Sequence, residues 1–361
     1  MILTIIVFIL VLGLLIFVHE LGHFITAKRA GIRVDEFAFG FPPRIYGKKI
    51  GETTYSLNLF PVGGYVKIYG EEGQGKNDKR SFASKPVLKR GWIIISGVLM
   101  NFLLAALLLS LGYWLGLPTE IGDDQQDISN PKVQIIQTAA GSPAEQAGIM
   151  MGDTILQLKS ENEILTTTKV KQVQDFISQH KGQKLILTIQ RGKEIFEKEI
   201  LARENPPNQQ GPIGVALART AIVSYPFYIA FYKGIISTIN LTAAIILAFL
   251  GLIWNLFTAG KIPVEAAGPV GIFVLTGQAA KLGFIYILQF AALININIAI
   301  INILPFPALD GGRLIFLAIE KIKGRPVDQK IENWIHTAGF ALLILFMIAI
   351  TWRDIVKHFF S

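Results

Sequence analysis

Two histidines and a glutamate stand where an apolar run should continue. The stretch Phe17-Val18-His19-Glu20-Leu21-Gly22-His23-Phe24 ends a segment that, from Ile2 onward, carries no charged residue. On a helix, residues four apart lie on one face, so His19 and His23 present two imidazoles one turn apart with Glu20 beside the first. Neutral imidazole binds Zn2+ well, and a catalytic zinc site takes three protein ligands and keeps a fourth position open. A carboxylate beside that position is placed to take a proton from water. The triplet is half of a hydrolytic zinc site, with His19 and His23 as metal ligands and Glu20 as the catalytic base. Such spacings also arise by chance on soluble helices, but ionisable groups at membrane depth are costly and mark function.

The missing ligand is found in a second motif, Asn302-Ile303-Leu304-Pro305-Phe306-Pro307-Ala308-Leu309-Asp310-Gly311-Gly312, which closes another apolar stretch. Two prolines at alternate positions interrupt helical hydrogen bonding. Irregular backbone at membrane depth is tolerated where it is buried in protein or lines a wet cavity. Asp310 falls near the depth of His19 and His23 and is the expected third ligand; capping the helix that resumes at Arg313 is its alternative role. Asn302, Pro305 and Pro307 are placed to line a substrate cleft.

The elements that must position these groups are membrane spans. With 361 residues, 52% of them hydrophobic, and a mean hydropathy of +0.48, the chain reads as a polytopic membrane protein. Its net charge of +8 does not imply a nucleic-acid partner, because the excess is local: residues 28–90 hold 13 Lys and Arg against 6 Asp and Glu, and residues 118–233 hold 12 against 13. There is no cysteine, so disulfides and thiolate metal sites are excluded.

Residues 1–27 are expected to form the first transmembrane helix, uncleaved, since they lack the basic start and small-residue site of a leader. Lys28 and Arg29 close it, which by the positive-inside rule puts the N-terminus outside and the metal toward the cytoplasmic end. Residues 28–90 read as a membrane-associated β segment followed by a basic linker, with alternating runs at 54–59 and 65–69 around the turn Pro61-Val62-Gly63-Gly64. A strand edge at Gly64 and Tyr65 could hold an unwound substrate by backbone pairing; an ordinary cytoplasmic hairpin is the alternative. Residues 91–117 are the second span, carrying Asn101, which is expected to bind substrate, with interhelical glue as its alternative role.

Residues 118–207 change to water-soluble text, with Asp123-Asp124 in front, Pro206-Pro207 behind and a polar helix near 169–180. Residues 208–283 include Gly234–Gly260, which has no Asp, Glu, Lys or Arg. It is expected to lie along or partly within the outer leaflet, because a complete crossing would carry Asp310 to the wrong face for His19. The breaker-rich turn Ala267-Gly268-Pro269-Val270-Gly271 follows. Residues 284–312 are the third span with its motif, 313–333 a cytoplasmic loop, and 334–361 the fourth span and tail, whose apolar part, 335–350, is short. His180 reads as a surface residue, His336 as interfacial, and His358 as part of the tail.

Within the soluble part, Gly141-Ser142-Pro143-Ala144-Glu145-Gln146-Ala147-Gly148 leading to Gly152-Asp153-Thr154 resembles a PDZ domain of the bacterial protease-associated kind. With the His19–His23 triplet, Asn101, the Gly268–Gly271 turn and the Asn302–Gly312 run, the chain resembles the site-2 protease family of intramembrane zinc metalloproteases, of the bacterial regulator of sigma-E protease type. The resemblance implies an α-helical polytopic membrane protein with four transmembrane helices, a membrane-associated β segment and an inserted extracytoplasmic PDZ domain. It implies Zn2+ on His19, His23 and Asp310, with Glu20 as base and acid. Its implied setting is the bacterial inner membrane, with both termini and the PDZ domain outside. Implied substrates are single-span membrane proteins, such as anti-sigma factors or remnant signal peptides, already trimmed by an upstream site-1-type protease. Two departures stand out: Gly97 is followed by Val98 where the family usually has Gly-Pro, and there is room for one PDZ domain rather than two. A non-catalytic PDZ scaffold and a transporter are the rival classes; the halves show no repeat that would suit the latter.

Overall fold

A computed structural model describes residues 1–124, 130–207, 210–259 and 268–359. In chain order the elements begin with α1 (Ile2–Arg29), β1 (Val34–Ile50), β2 (Thr53–Ile68), α2 (Val87–Leu115), β3 (Leu117–Glu120), β4 (Lys132–Thr138) and α3 (Pro143–Gln146). Then come β5 (Thr154–Lys159), β6 (Ile164–Thr166), α4 (Val170–Gln179), β7 (Lys184–Arg191), β8 (Glu194–Leu201) and β9 (Val215–Val223). The chain closes with α5 (Phe227–Ala259), α6 (Pro269–Leu282), α7 (Phe284–Ile303), α8 (Asp310–Lys323) and α9 (Gln329–Phe359). Two compact units result, one of residues 1–110, 232–274 and 290–361, the other of residues 111–231 and 275–289.

Five of the described helices, α1, α2, α5, α7 and α9, are long and apolar enough to cross a membrane. This is the architecture of a polytopic membrane protein that also carries β structure. Two helices differ from the sequence reading. The apolar stretch from Gly234 lies inside one continuous 33-residue helix, α5, because Gly251 in its interior is offset by strong helix formers on both sides. The last apolar stretch, 335–350, is the middle of the 31-residue α9, since the polar residues flanking it continue the same helix. Of the expected turn at 267–271, Ala267 lies outside the described residues; Gly268 and Gly271 both donate their main-chain N–H to the buried Asp354 carboxylate of α9, each at 2.9 Å.

In the first unit, α1 lies against α2 through small residues. A Cβ on Gly22 would stand 2.5 Å from the Ser96 carbonyl oxygen, and Thr26 Oγ1 meets Ser96 Oγ at 2.8 Å. β1 and β2 form a two-stranded antiparallel sheet whose register is irregular, so that Phe37 opposes both Val66 and Tyr55. Aromatic contacts seat this sheet on the histidine-bearing part of α1: Phe24 stacks on Phe37 at 4.8 Å, and Phe17 meets Phe37 at 5.4 Å. Beneath them Ala27, Ile32, Val34, Ile68, Ile93 and Leu317 form a buried cluster joining α1, the sheet, α2 and α8. The sheet is thereby fixed along the helix that carries the chemistry.

The second unit is a seven-stranded sheet of order β3-β9-β4-β5-β7-β8, with β6 paired to β5. Its core includes Val133, Ile135, Leu158, Leu185, Leu187 and the inner face of α4, Val173, Phe176 and Ile177. The buried Asp153 carboxylate accepts two hydrogen bonds from the Arg191 guanidinium, both at 2.7 Å. The guanidinium held there keeps its proton more firmly than usual. The sheet does not close by residue 207, where the sequence reading ends its soluble domain. β9 lies beyond that point and pairs with both β3 and β4; Pro206-Pro207 is a connection within the unit rather than its end.

Candidate metal centre

Helical geometry puts His19 and His23 on one face of α1, and both imidazoles are buried, 7% and 8% exposed. α2 presses on them directly: a Cβ on Gly97 would lie 2.5 Å from His23 Nε2 and 2.8 Å from His19 Cε1. His23 Nδ1 lies 2.8 Å from the Ile93 carbonyl oxygen; a carbonyl only accepts, so the proton sits on Nδ1 and the Nε2 lone pair is bare. His19 Nδ1 faces the Asn101 carboxamide at 3.3 Å. The main chain at Asn101 is held in turn from α7, where the Asn295 side-chain amide donates to the Asn101 carbonyl.

Asp310 enters from the start of α8, beyond the loop that follows α7. Its Oδ2 lies 3.1 Å from His19 Nε2 and 3.4 Å from His23 Nε2, and the two Nε2 atoms are 3.2 Å apart. Oδ2 is buried without a well-directed hydrogen bond. Zinc held tetrahedrally at about 2.0–2.1 Å from nitrogen and oxygen donors needs those donors about 3.3–3.4 Å apart. Three lone-pair donors at these separations fit the metal; among the described residues this is the one His, Asp or Glu cluster suited to an ion.

Glu20 projects beside His19, and its Oε2 accepts a hydrogen bond of 3.0 Å from the Val66 main-chain N–H. A cavity of about 220 Å3 opens here, bounded by His19, Glu20, Asn302 and Asp310, with Ile16 and Ile298 among its apolar walls. The structure thus brings together His19, Glu20, His23, Asp310 and Asn302.

Other residues singled out from the sequence are placed differently. Asn101 is expected to touch substrate, but its residue is 0% exposed and its carboxamide faces His19, so no incoming chain can reach it. Pro307 packs on α9, where a Cβ on Gly339 would meet its ring at 2.5 Å, and Pro305 is exposed outside the cavity lining. Gly64 pairs with Phe39, and the Ala38 carbonyl oxygen leaves no room there for a Cβ. The Tyr65 side chain is directed to Glu36 and Asn58; the contact with the site is made one residue further on, by the main chain of Val66. Asn295 and the Val66 amide are the participants that sequence reasoning missed. Asn295 had a signal, a carboxamide within an apolar span; a main-chain amide has none.

A buried group of three donors suited to a metal ion, in a bundle of apolar helices with a carboxylate beside it, is what a membrane-embedded metallohydrolase requires. Residues 7–346 match peptidase family M50, and the chain belongs to that family. It is a site-2-type zinc metalloprotease, and zinc is its metal. It is similar to the zinc metalloprotease RasP of Oceanobacillus iheyensis, 31% identical with 99% of each chain covered. It is also similar to the regulator of sigma-W protease RasP of Bacillus subtilis, 30% identical with 99% of each chain covered. A Clostridium perfringens protein with a provisional zinc-metalloprotease designation is 34% identical over 95% of each chain.

Proposed function

We propose that His19, His23 and Asp310 hold the zinc and that Glu20 is the general base and acid of peptide-bond hydrolysis at or near the membrane segment of single-span proteins. The observation that carries the ligand set is the triangle of 3.1, 3.2 and 3.4 Å between Nε2, Nε2 and Oδ2. Zinc, when bound, polarises the scissile carbonyl and lowers the pKa of water so that it attacks at neutral pH. Glu20 takes the proton of the attacking water and returns it to the departing amine. The Val66 N–H fixes one carboxylate oxygen and leaves the other for that transfer. The Asn101 carboxamide meets His19 Nδ1 through its nitrogen, while its buried oxygen is left without a partner; with the amide turned end for end, that oxygen would accept from Nδ1–H and select the tautomer whose Nε2 is bare. Ile16 and Ile298 supply apolar walls beside these polar groups, and Asn302 is the uncharged polar side chain placed to hold a substrate carbonyl or amide there.

The meeting of Asp310 with His19 also supports a topology. α1 runs toward the metal and α2 away from it, so α7 must start on the side where α2 ends. The chain between them therefore makes an even number of crossings. α6 has 14 residues, about 21 Å of helix, too short for a span of about 30 Å. We therefore take α5 to lie along or partly within the membrane despite its length, leaving four full spans. With Lys28 and Arg29 inside, both termini and the PDZ-like unit are extracytoplasmic and the metal lies toward the cytoplasm. The Gly64–Ile68 edge of β2 passes Glu20 through Val66, which supports its use in pairing with an unwound substrate strand.

The name of the Bacillus subtilis relative, a regulator of sigma-W protease, supports anti-sigma factors as the substrate class; remnant signal peptides, which are also single apolar spans, are proposed beside them on the family resemblance alone. The PDZ-like unit would admit them after trimming by an upstream protease. The test is cleavage of a tagged single-span substrate by detergent-purified protein, with zinc content measured alongside. Glu20→Gln should keep about one zinc per chain and lose cleavage by at least the ~10²-fold expected of a missing general base; normal cleavage by that variant would sink the mechanism.

A further inference from the structure

We infer that His336 on α9 is a positioning residue of the metal centre, holding the main chain of Ala308 and so the loop that presents Asp310. The inference rests on the ligand role proposed above for Asp310. Asp310 must keep one oxygen within 3.1–3.4 Å of two imidazoles carried by a different helix, yet it follows a proline-broken loop. That loop needs an anchor outside α7 and α8.

α9 supplies one. The Ala308 N–H donates to His336 Nδ1 at 2.9 Å. Ala308 adopts φ +78°, a left-handed conformation shared among the described non-glycine residues only with Asn130, and an alanine persists there when its surroundings over-determine it. The imidazole is itself fixed, its ring 5.4 Å from that of Phe316 on α8. Close to one turn further along α9, Gly339 lies so near Pro307 that a Cβ would stand 2.5 Å from the proline Cβ and 2.8 Å from its carbonyl oxygen. α9 therefore grips two consecutive residues, Pro307 and Ala308, immediately before Leu309-Asp310.

The chemistry of the contact is specific. An N–H donor requires an acceptor, so His336 uses the Nδ1 lone pair and carries its proton on Nε2, an atom buried without a partner. Remove the acceptor and the Ala308 N–H is orphaned in a strained conformation; the loop relaxes by turning Ala308, which displaces Asp310 two residues on. A side chain that merely fills the space of the ring does not prevent this. The sequence reading of His336 as an interfacial residue is replaced by this role.

The test compares His336→Asn, which offers an amide oxygen near the Nδ1 position, with His336→Phe, which keeps the ring and its contact with Phe316 but offers no acceptor. Zinc dissociation constants are measured by chelator competition on the detergent-purified full chain, with thermal midpoints alongside. H336F should weaken zinc binding about ten-fold or more, the range of residues that orient metal ligands, while H336N stays within about three-fold of wild type. Equal affinity in H336F and wild type, or equal losses in H336N and H336F, overturns the inference. Should H336F not accumulate as folded protein, H336Q carries the same comparison, because its amide extends past the Nδ1 position. Asp310→Asn is the control: retention of zinc by D310N defeats the ligand reading, whereas loss in D310N with none in H336F defeats only the positioning role.

Discussion

Replacing Gly97 by alanine separates the geometry of the metal centre from ordinary helix energetics. In an isolated helix this change is favourable by about 1 kcal/mol, because glycine is the poorer helix former. Gly97, however, faces the imidazoles: the new methyl would stand 2.5 Å from His23 Nε2, 2.6 Å from its Cε1 and 2.8 Å from His19 Cε1. Carbon contacts of this kind settle near 3.5–4.0 Å, so something must move by about 1 Å. The rings have little room to retreat. His23 Nδ1 is tied to the Ile93 carbonyl at 2.8 Å, and α1 cannot slide because Gly22 already touches the Ser96 carbonyl of α2. Overpacking of this sort costs about 1–3 kcal/mol, and a displacement of about 1 Å at a catalytic group costs on the order of 10²-fold in rate. Gly97→Ala should therefore weaken zinc binding at least about ten-fold and lower cleavage by about two orders of magnitude. Chelator competition and turnover of a single-span substrate check it. A variant that binds zinc and cleaves within about three-fold of wild type, with the helix stabilisation alone expressed, would refute the placement of α2 against the imidazoles.

Asn101→Leu should weaken zinc binding about 10–100-fold by removing the partner of His19 Nδ1, while KM for substrate stays unchanged; a rise in KM alone would restore a substrate contact. Asp153→Ala leaves the half-buried Arg191 guanidinium without its carboxylate and should destabilise the second unit by about 1–3 kcal/mol, read as a lowered midpoint of its cooperative thermal transition. The Glu36 carboxyl would be raised by burial, but the Ser56 hydroxyl and the Arg44 guanidinium outweigh that and hold it below the usual carboxylate range. Its folded-state value is thus depressed, so its stabilising contribution is present above the unfolded value and lost as pH falls through the lowered one. Amide-exchange protection in β1 and β2 should decline in that acidic window, and Arg44→Ala should move the decline to higher pH.

The chemistry was legible where it is local. Residues four apart on a helix share a face in any protein, so His19, His23 and their neighbour Glu20 declare themselves before anything folds. Asp310 was legible more weakly, through its depth at the end of an apolar span. The direction in which a side chain or main-chain group points across elements belongs to tertiary structure. Asn101 could have faced a cleft or a helix; packing of α2 on α1 turns it to His19. Every residue has an N–H, and the register of β2 against β1 decides that Val66 offers its own to Glu20. His336 is a polar residue near the end of a span until α9 meets the loop at Ala308, and β9 belongs to the soluble sheet because strands find partners by pairing in space rather than by nearness in the chain. Local periodicity is written into the order of residues; long-range contact is selected among many alternatives by the packing of the whole.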